Sequence, residues 1–212
     1  MYVPPQFAEP STQELHRFIE THGLGMLVTK SASAGFEAEH LPFLIDAAGG
    51  EAGVLLAHVA RANPVWQRAI DGDEVFVVFR GAEGYISPNW YPGKLETHRR
   101  VPTWNYEVVH AHGTIRVRDD ERFTRGVVAK LTRHFEAAQA TPWKMGDAPA
   151  DYIDEQLKHI VGIEVVLTRL EGKRKLNQHH AEQDRAGAIE GLENQGNSAL
   201  AEAMRCAKPY TP

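Results

Sequence analysis

The apolar segments of this sequence are mostly short, and they follow one another closely instead of alternating with helices. About six of them have the length and composition of strands, and they lie at residues 24–29, 36–46, 53–59, 74–80, 104–118 and 162–170. Strands that are close in sequence pair antiparallel through short turns, whereas parallel pairing needs a long crossover. The sequence therefore predicts a mainly β fold with flanking helices (α+β) and an antiparallel, barrel-like sheet.

Capping residues and helical periodicity predict the flanking helices at 11–23, from Asn63 to near residue 72, after Asp119, at 149–160 and within 181–207. We expect Asn63 and Asp119 to be N-caps and Pro64 to be the first residue of its helix. The strand at 74–80 is predicted to end before Gly81, and residues 173–178 are predicted to form a basic turn after the last strand. Glycines at 187, 191 and 196 are expected to loosen the last helical segment.

Composition excludes several classes of protein. The 212 residues carry 23 basic and 28 acidic side chains, a formal charge of -5 that argues against a generally basic, nucleic-acid-coating surface. The single cysteine, Cys206, excludes an internal disulfide and a Cys-rich metal site, and it fits a reducing compartment. Because no apolar run approaches ~20 residues and no signal peptide is evident, we expect a cytoplasmic protein without a membrane segment. Dinucleotide-binding and P-loop glycine motifs are missing.

A first candidate site lies at 58–64, where a strand is predicted to end and a helix to begin. The amino end of a helix offers free N–H groups that suit a phosphate, and His58 and Arg61 add donors. The alternative is structural, with Asn63 a simple cap and Arg61 solvated.

A second candidate is the segment GYISPNWYPGK, in which aromatic and polar side chains are held between prolines. Flat aromatic rings beside fixed donors suit a planar heterocycle, but a rigid surface loop or a dimer contact is an equal alternative. A third candidate, VPTWNY, is followed by His110 and His112. Their spacing could support a metal, but structural histidines are the favoured interpretation and no metal is predicted.

Two shorter features complete the candidates. Pro42 interrupts a predicted strand in His40-Leu41-Pro42, which is typical of an edge strand or a bulge beside a ligand. The segment Lys173-Arg174-Lys175-Leu176-Asn177-Gln178 is interpreted as a basic turn after the last strand, with a plain solvated loop as the alternative, because one run of three basic residues does not indicate nucleic-acid binding.

Taken together and in this order, MYVPPQF, EHLPFLID, AHVARANPVW, GYISPNWYPGK, VPTWNYEVVHAHG and KRKLNQ resemble the PaiB-type FMN-binding negative transcriptional regulators. The resemblance covers residues 1–204. It implies an FMN-binding split β-barrel, related to pyridoxamine-phosphate oxidases, that forms a homodimer with FMN at the subunit interface. Residues 1–172 would then form the barrel with its inserted helices. Residues 173–212 would form the basic turn and a helical segment that packs on the barrel or on the partner.

The resemblance also implies cofactor contacts throughout the candidate segments. Phosphate would lie near His58, Arg61 and Asn63, with further donors from the 85–94 segment. The FMN-contacting residues so implied are His40, Leu41, Pro42, His58, Arg61, Asn63, Tyr85, Ser87, Trp90, Lys94, Thr103, Trp104, Asn105, Lys175, Asn177 and Gln178. Two motifs depart from the usual family pattern: SPSWY is here SPNWY, and KLSQN is here KLNQH.

The resemblance implies a transcriptional regulator, but neither charge nor motif supports direct DNA binding. A flavin-dependent oxidoreductase acting on a small molecule is the alternative, since FMN itself would carry hydride chemistry. The histidine count alone suggests a third hypothesis, a haem-handling split barrel. The sequence assigns no catalytic residue.

Overall fold

The computed structural model describes residues 1–31 and 35–210. The strands are β1 (Ala8–Glu9), β2 (Leu24–Ser31), β3 (Gly35–Pro42), β4 (Leu44–Asp46), β5 (Val54–Ala60), β6 (Glu74–Ile86), β7 (Thr103–Arg118) and β8 (Ile160–Lys175). The helices are α1 (Thr12–Thr21), α2 (Val65–Arg68), α3 (Gly93–Thr97), α4 (Glu121–Glu136), α5 (Ala150–Leu157), α6 (Glu182–Asn194) and α7 (Ser198–Cys206). No helix in these ranges is long and apolar enough to cross a membrane.

The strands form one sheet in the order β3-β2-β6-β7-β8-β5-β4, and β1 adds to β8. The pairs β1–β8, β2–β3, β2–β6, β4–β5 and β5–β8 are antiparallel. This confirms the predicted antiparallel, mainly β architecture. Pro42 ends β3 at one end of the strand order, where a residue without a backbone N–H is tolerated.

The chain forms two compact units. The terminal unit consists of Met1–Ser11, Arg80–Val109 and Glu171–Pro212, and the central unit of Thr12–Phe79 and His110–Leu170. The chain runs from one unit into the other within β6, β7 and β8. The predicted C-terminal segment, 173–212, therefore shares its unit with two segments from earlier in the chain.

The central unit has a core in which strand and helix side chains interdigitate. Val54 and Leu56 of β5 pack with Val127 and Leu131 of the amphipathic helix α4. Gly113 of β7 lies so close to β8 that an added Cβ would be 2.2 Å from the carbonyl oxygen of Val166. A glycine is required there because a side chain would force the strands apart.

The terminal unit is built on helices α6 and α7. Their buried residues Leu192, Leu200 and Met204 form a core with Ile86 and Leu176. A Cβ added at Gly187 would lie 2.1 Å from the backbone oxygen of Trp90, and one at Gly191 would overlap the Trp90 ring. These two glycines therefore permit close packing of α6 and do not loosen it.

Four local predictions were wrong. Residues 81–84 continue strand β6, since Gly84 is a close-packing position whose added Cβ would lie 2.7 Å from the Asn197 amide nitrogen. The basic triplet 173–175 ends β8, and Arg174 pairs there with Glu107 at 2.7 Å. Asp120, not Asp119, caps α4 by accepting from Phe123 N at 2.7 Å. Helix α2 is a single turn that Pro64 precedes.

Candidate functional site

The predicted cofactor residues are divided between the two units. The central unit holds His40, Leu41, Pro42, His58, Arg61 and Asn63. The terminal unit holds Tyr85, Ser87, Trp90, Lys94, Thr103, Trp104, Asn105, Lys175, Asn177 and Gln178.

In the central unit, Arg61 is engaged by a carboxylate. Its Nη1 and Nη2 donate to the two oxygens of Asp119 at 3.0 and 2.6 Å, and its Nε donates to the Lys158 carbonyl at 2.7 Å. The hydrogen bond raises the pKa of Arg61 and lowers the pKa of Asp119. A phosphate at this guanidinium would therefore compete with Asp119. The adjoining pocket of about 350 Å³ is also lined by Asp120 and Glu121, which would repel an anion.

The two neighbours of Arg61 in the predicted phosphate site differ in their contacts. Asn63 Oδ1 accepts from Val65 N at 2.9 Å, so this side chain stabilises the turn into α2. His58 Nδ1 is buried without a hydrogen-bond partner in the described chain, and burial lowers the pKa of His58. Of the three residues, His58 alone retains a buried polar atom for a ligand.

The remaining candidates of the central unit lie on two strands. His40 and Pro42 are exposed on β3 and Leu41 is buried, with His40 opposite Met26 of β2. The rings of His110 and His112 both pack near Phe76, with centroid distances of 5.9 and 5.4 Å.

The terminal unit contains a cleft of about 490 Å³, which we call the terminal cleft. It is lined by Gln6, Phe7, Tyr91, Arg99, Arg100, Val101, Thr103, Lys175, Asn177, His179, His180 and Ala181. These residues include three cations and two imidazoles, and among those described here none is acidic. Sequence reasoning had selected only Thr103, Lys175 and Asn177.

Lys175 supplies an ammonium group held by neutral oxygens. Its Nζ donates to Thr103 Oγ1 at 2.5 Å and to the Trp104 carbonyl at 2.8 Å. Burial lowers the pKa of Lys175, because neither partner compensates the charge. An ammonium has three N–H donors, so one remains for a ligand.

Asn177 supplies a buried amide in a rare backbone conformation. Its φ is 60°, in the left-handed region that asparagine tolerates better than most residues. Its Nδ2 donates to the Tyr91 hydroxyl at 2.9 Å, while Oδ1 is buried and has no partner in the described residues. Burial raises the pKa of Tyr91. The orphaned Oδ1 is an acceptor that a ligand N–H or O–H could satisfy.

Asp184 of α6 organises one wall of the terminal cleft, and no motif in the sequence pointed to it. Its Oδ1 accepts from Gly93 N at 2.9 Å, and Oδ2 accepts from Arg100 Nε and Nη2 at 3.0 and 2.7 Å. Burial raises the pKa of Asp184, but these hydrogen bonds outweigh burial and hold the pKa below its usual range. The carboxylate thus ties down both ends of the 93–100 segment.

Two adjacent imidazoles complete the terminal cleft. The His180 ring stacks on Tyr91 with centroids 5.1 Å apart, and His179 lies edge-on to His180 at 4.4 Å. Burial, the neighbouring His179 and Arg100 lower the pKa of His180 to about 4. Burial and Lys175 lower the pKa of His179 as well. Both rings are therefore neutral near pH 7.

Several predicted cofactor residues have structural contacts in the terminal unit. Ser87 Oγ accepts from Asn89 N at 3.2 Å, and Lys94 donates to the Asn89 side chain. Gln178 folds back, donating to the Arg174 carbonyl and accepting from Leu176 N.

The other four are three aromatic residues and a buried amide. The Trp90 ring packs against Gly191 of α6. Trp104 and Tyr85 are half exposed, with ring centroids 6.5 Å apart. Asn105 is buried beside Met204 at 3.5 Å, and its Oδ1 has no partner in the described residues.

Comparison with known proteins places these features in a family. Residues 1–169 match the family model described as "Putative FMN-binding domain". A protein of Emericella nidulans is 33% identical over 94% of this chain and 93% of its own. The Bacillus subtilis protein named protease synthase and sporulation protein PAI 2 is 27% identical over 93% of this chain and 91% of its own.

Solved structures share the fold at low sequence identity. A flavocytochrome from Azotobacter vinelandii has a TM-score of 0.59 and 9% identity, covering 85% of this chain and 75% of its own. An FAD- and haem-binding protein from Mycobacterium smegmatis has a TM-score of 0.57 and 15% identity, covering 84% and 78%. The predicted split-barrel fold class is confirmed, and the expected cofactor, FMN, is the one that the family description gives.

Proposed function

Because this chain belongs to the FMN-binding domain family that includes the PaiB-type proteins, we propose that it is a homodimeric flavoprotein with FMN at the subunit interface. We further propose that Lys175, Thr103 and Asn177 of the terminal cleft are among the cofactor's ligands. The contacts implied for the central unit remain part of this proposal, with His58 as the residue whose geometry fits best.

The donor set of the terminal cleft carries the proposal. FMN combines an anionic phosphate, ribityl hydroxyls and a flat ring with polar edges. Lys175 offers a cationic N–H, Thr103 a hydroxyl and Asn177 an orphaned amide oxygen within one cavity. A cavity of about 490 Å³ is of the size that small-molecule sites have. The chemistry of these residues therefore fits the cofactor.

Exposed apolar side chains of the terminal unit support the homodimer. Leu95 and Val101 are 81% and 75% exposed, and Tyr85 and Trp104 are about half exposed. Aromatic and aliphatic side chains in such positions are typical of interface cores. Sedimentation analysis should give the mass of a dimer for the wild type, and Leu95→Asp should shift the protein toward monomer. A monomeric wild type at micromolar concentration would contradict the homodimer.

The bound flavin would supply hydride or electron transfer. The chain's own residues would bind and orient it: Lys175 through its charge, Thr103 and Asn177 through hydrogen bonds, and Trp104 through its ring. Asp184 would keep the 93–100 wall in place by holding Arg100 and Gly93.

A role in transcription is part of the proposal, on the strength of the family resemblance alone. The formal charge of -5 and the single-turn α2 do not favour direct reading of DNA. We propose that regulation acts through the flavin, in the cytoplasm, where the flavin can respond to redox state or to a metabolite. Absence of salt-sensitive retardation of upstream DNA in a gel shift would agree with this.

An FMN titration tests the central claim. We expect the purified protein to bind FMN with a visible flavin band, and Lys175→Ala to weaken binding about tenfold, the effect of one lost charge-assisted hydrogen bond. Lys208→Ala, which removes an exposed lysine of the same unit, is the matched control and should not change affinity. The proposal fails if FMN does not bind. NAD(P)H-dependent bleaching of the bound flavin would favour an oxidoreductase.

A further inference from the structure

The terminal cleft presents a buried hydrogen-bond acceptor, the Oδ1 atom of Asn177. This atom has no partner in the described part of the chain, and its residue lines the cleft. Asn177 Nδ2 donates to the Tyr91 hydroxyl at 2.9 Å, so the other side of the amide is already engaged. A buried acceptor without a hydrogen bond is destabilising, and native proteins retain few of them. We therefore expect a ligand of the cleft to bring an N–H or O–H group to this atom.

Two donors of the same cleft are also incompletely used. The Tyr91 oxygen accepts from Asn177, and its own O–H has no acceptor among the residues that the structure describes. Lys175 Nζ donates to Thr103 Oγ1 and to the Trp104 carbonyl, which leaves one of its three N–H groups. Tyr91 and Lys175 both line the cleft, as Asn177 does. The three side chains together offer one acceptor and two donors.

We propose that Asn177, Tyr91 and Lys175 bind the pyrimidine edge of the isoalloxazine ring, and that the terminal cleft takes this edge and not the phosphate of FMN. This inference rests on the proposed function, because it names the part of the cofactor that the cleft recognises. The pyrimidine edge has two carbonyl oxygens with an N–H between them. Two acceptors and one donor on the ligand match the two donors and one acceptor that the cleft leaves free.

The acceptor distinguishes the ring from the phosphate. The cationic side chains of the lining would suit either a phosphate or the carbonyl oxygens of the ring. A phosphate ester near pH 7 is mostly deprotonated, so it would leave Asn177 Oδ1 unsatisfied and would bring negative oxygens close to it. The ring N–H satisfies that atom. Phe7 and Val101 add apolar side chains to the lining, which suit a flat ring better than a phosphate.

The acceptor and one donor are fixed in place by the surrounding chain. Asn177 has a left-handed φ of 60°, and its backbone carbonyl accepts from His180 N at 3.0 Å. The Gln178 side chain closes the same turn by accepting from Leu176 N at 2.8 Å. Tyr91 is buried in the core of the terminal unit. Because these groups are positioned before a ligand arrives, we expect them to discriminate sharply between flavins that differ at this edge.

Fluorescence titration of the wild-type protein with FMN and with 3-methyl-FMN tests the inference. The methyl group replaces the N–H of the pyrimidine edge and leaves the phosphate unchanged. We expect 3-methyl-FMN to bind about tenfold more weakly than FMN, because Asn177 Oδ1 loses its donor. Equal affinities would overturn this inference and leave the proposed function standing. Failure of FMN itself to bind would contradict the proposed function and this inference with it.

Asn177→Gly shows whether the discrimination arises in the terminal cleft. Glycine tolerates the left-handed backbone and removes the amide, so the affinities for FMN and 3-methyl-FMN should become equal within about twofold. A merely structural role of Asn177 would lower both affinities and leave their ratio unchanged. An unchanged tenfold ratio in this variant would therefore overturn the inference.

Tyr91→Phe is a second variant that keeps the ring and removes only the hydroxyl. It should weaken binding of FMN about tenfold while FMN remains preferred over 3-methyl-FMN, since Asn177 Oδ1 is still present. Tyr210→Phe removes a hydroxyl from a partly exposed tyrosine of the same unit, and as the matched control it should leave both affinities unchanged. Unchanged FMN affinity in Tyr91→Phe would contradict the assignment of that hydroxyl to the ring.

Discussion

Each unit contains an arginine–aspartate ion pair, and the two pairs differ in burial and in role. In the central unit, Arg61 and Asp119 form a two-pronged ion pair at the surface, with side chains 40% and 47% exposed. In the terminal unit, Arg100 forms a similar pair with Asp184, whose side chain is fully buried. The surface pair occupies the Arg61 guanidinium, which the sequence predicts to bind a phosphate. The buried pair fixes the wall of a cleft.

The difference shows that the surroundings of an arginine decide its role. Arg61 adjoins a pocket with three acidic residues, Asp119, Asp120 and Glu121. Arg100 adjoins a cleft with a basic lining, and its own charge is already matched by Asp184. The terminal cleft is consequently the better anion site, although Asp184 matches the charge of Arg100.

The largest effect that distinguishes the two pairs is on stability. Asp184→Asn should lower the free energy of unfolding by about 3 kcal/mol, because it leaves a mostly buried guanidinium without its carboxylate. The matched change Asp119→Asn should cost less than ~1 kcal/mol, since solvent and salt screen a surface pair. Urea denaturation of both variants measures the difference. Equal losses would show that burial does not separate the pairs.

A smaller effect concerns helical glycines, which also differ between the units. Gly187→Ala should destabilise the protein by about 2 kcal/mol, because the new Cβ would collide with the Trp90 backbone oxygen. Gly126→Ala in α4 meets nothing within 4 Å and should stabilise by about 0.5–1 kcal/mol through helix propensity. Thermal denaturation of the two variants is the measurement. Shifts of the same sign would contradict the packing assigned to α6.

Cofactor affinity compares the units directly. Lys175→Ala should weaken FMN binding about tenfold, and Arg61→Ala should weaken it less, because Arg61 is already held by Asp119. Fluorescence titration gives both affinities. A larger loss in Arg61→Ala would mean that the phosphate displaces Asp119 in the complex, as the sequence predicts for that segment.

The last comparison concerns the pH dependence of stability. The folded state holds His180 neutral down to about pH 4, whereas in the unfolded chain its pKa is about 6.5. The unfolded state therefore binds the proton first, and stability falls as pH decreases from about 6.5 toward 4. His180→Gln should reduce this fall, measured by urea denaturation at several pH values. An unchanged slope would place the sensitive groups elsewhere, such as His58.

The local sequence pattern was sufficient to predict most strands and the family, but it did not predict the lengths of several elements. Alternation and β-branched residues located the strands because those signals act over a few residues. The sequence did not predict that β6 extends past Gly84 or that β8 extends to Lys175, because glycine and a run of basic residues are common in turns. In the structure Gly84 packs against Asn197, and Arg174 pairs with Glu107. Capping alone could not separate Asp119 from Asp120, which are adjacent and equally able to cap.

By itself, the sequence determined the antiparallel β architecture, the family and the expected cofactor, FMN. Strand periodicity and ordered motifs depend on consecutive residues, so they can be recognised without the tertiary structure. Only the tertiary structure decided which polar residues share a cavity. Arg61 pairs with Asp119, 58 residues away in the sequence, and Asp184 accepts a hydrogen bond from Gly93, 91 residues away. Charge compensation and burial depend on such distant neighbours, and these decide whether a basic side chain is available to a ligand.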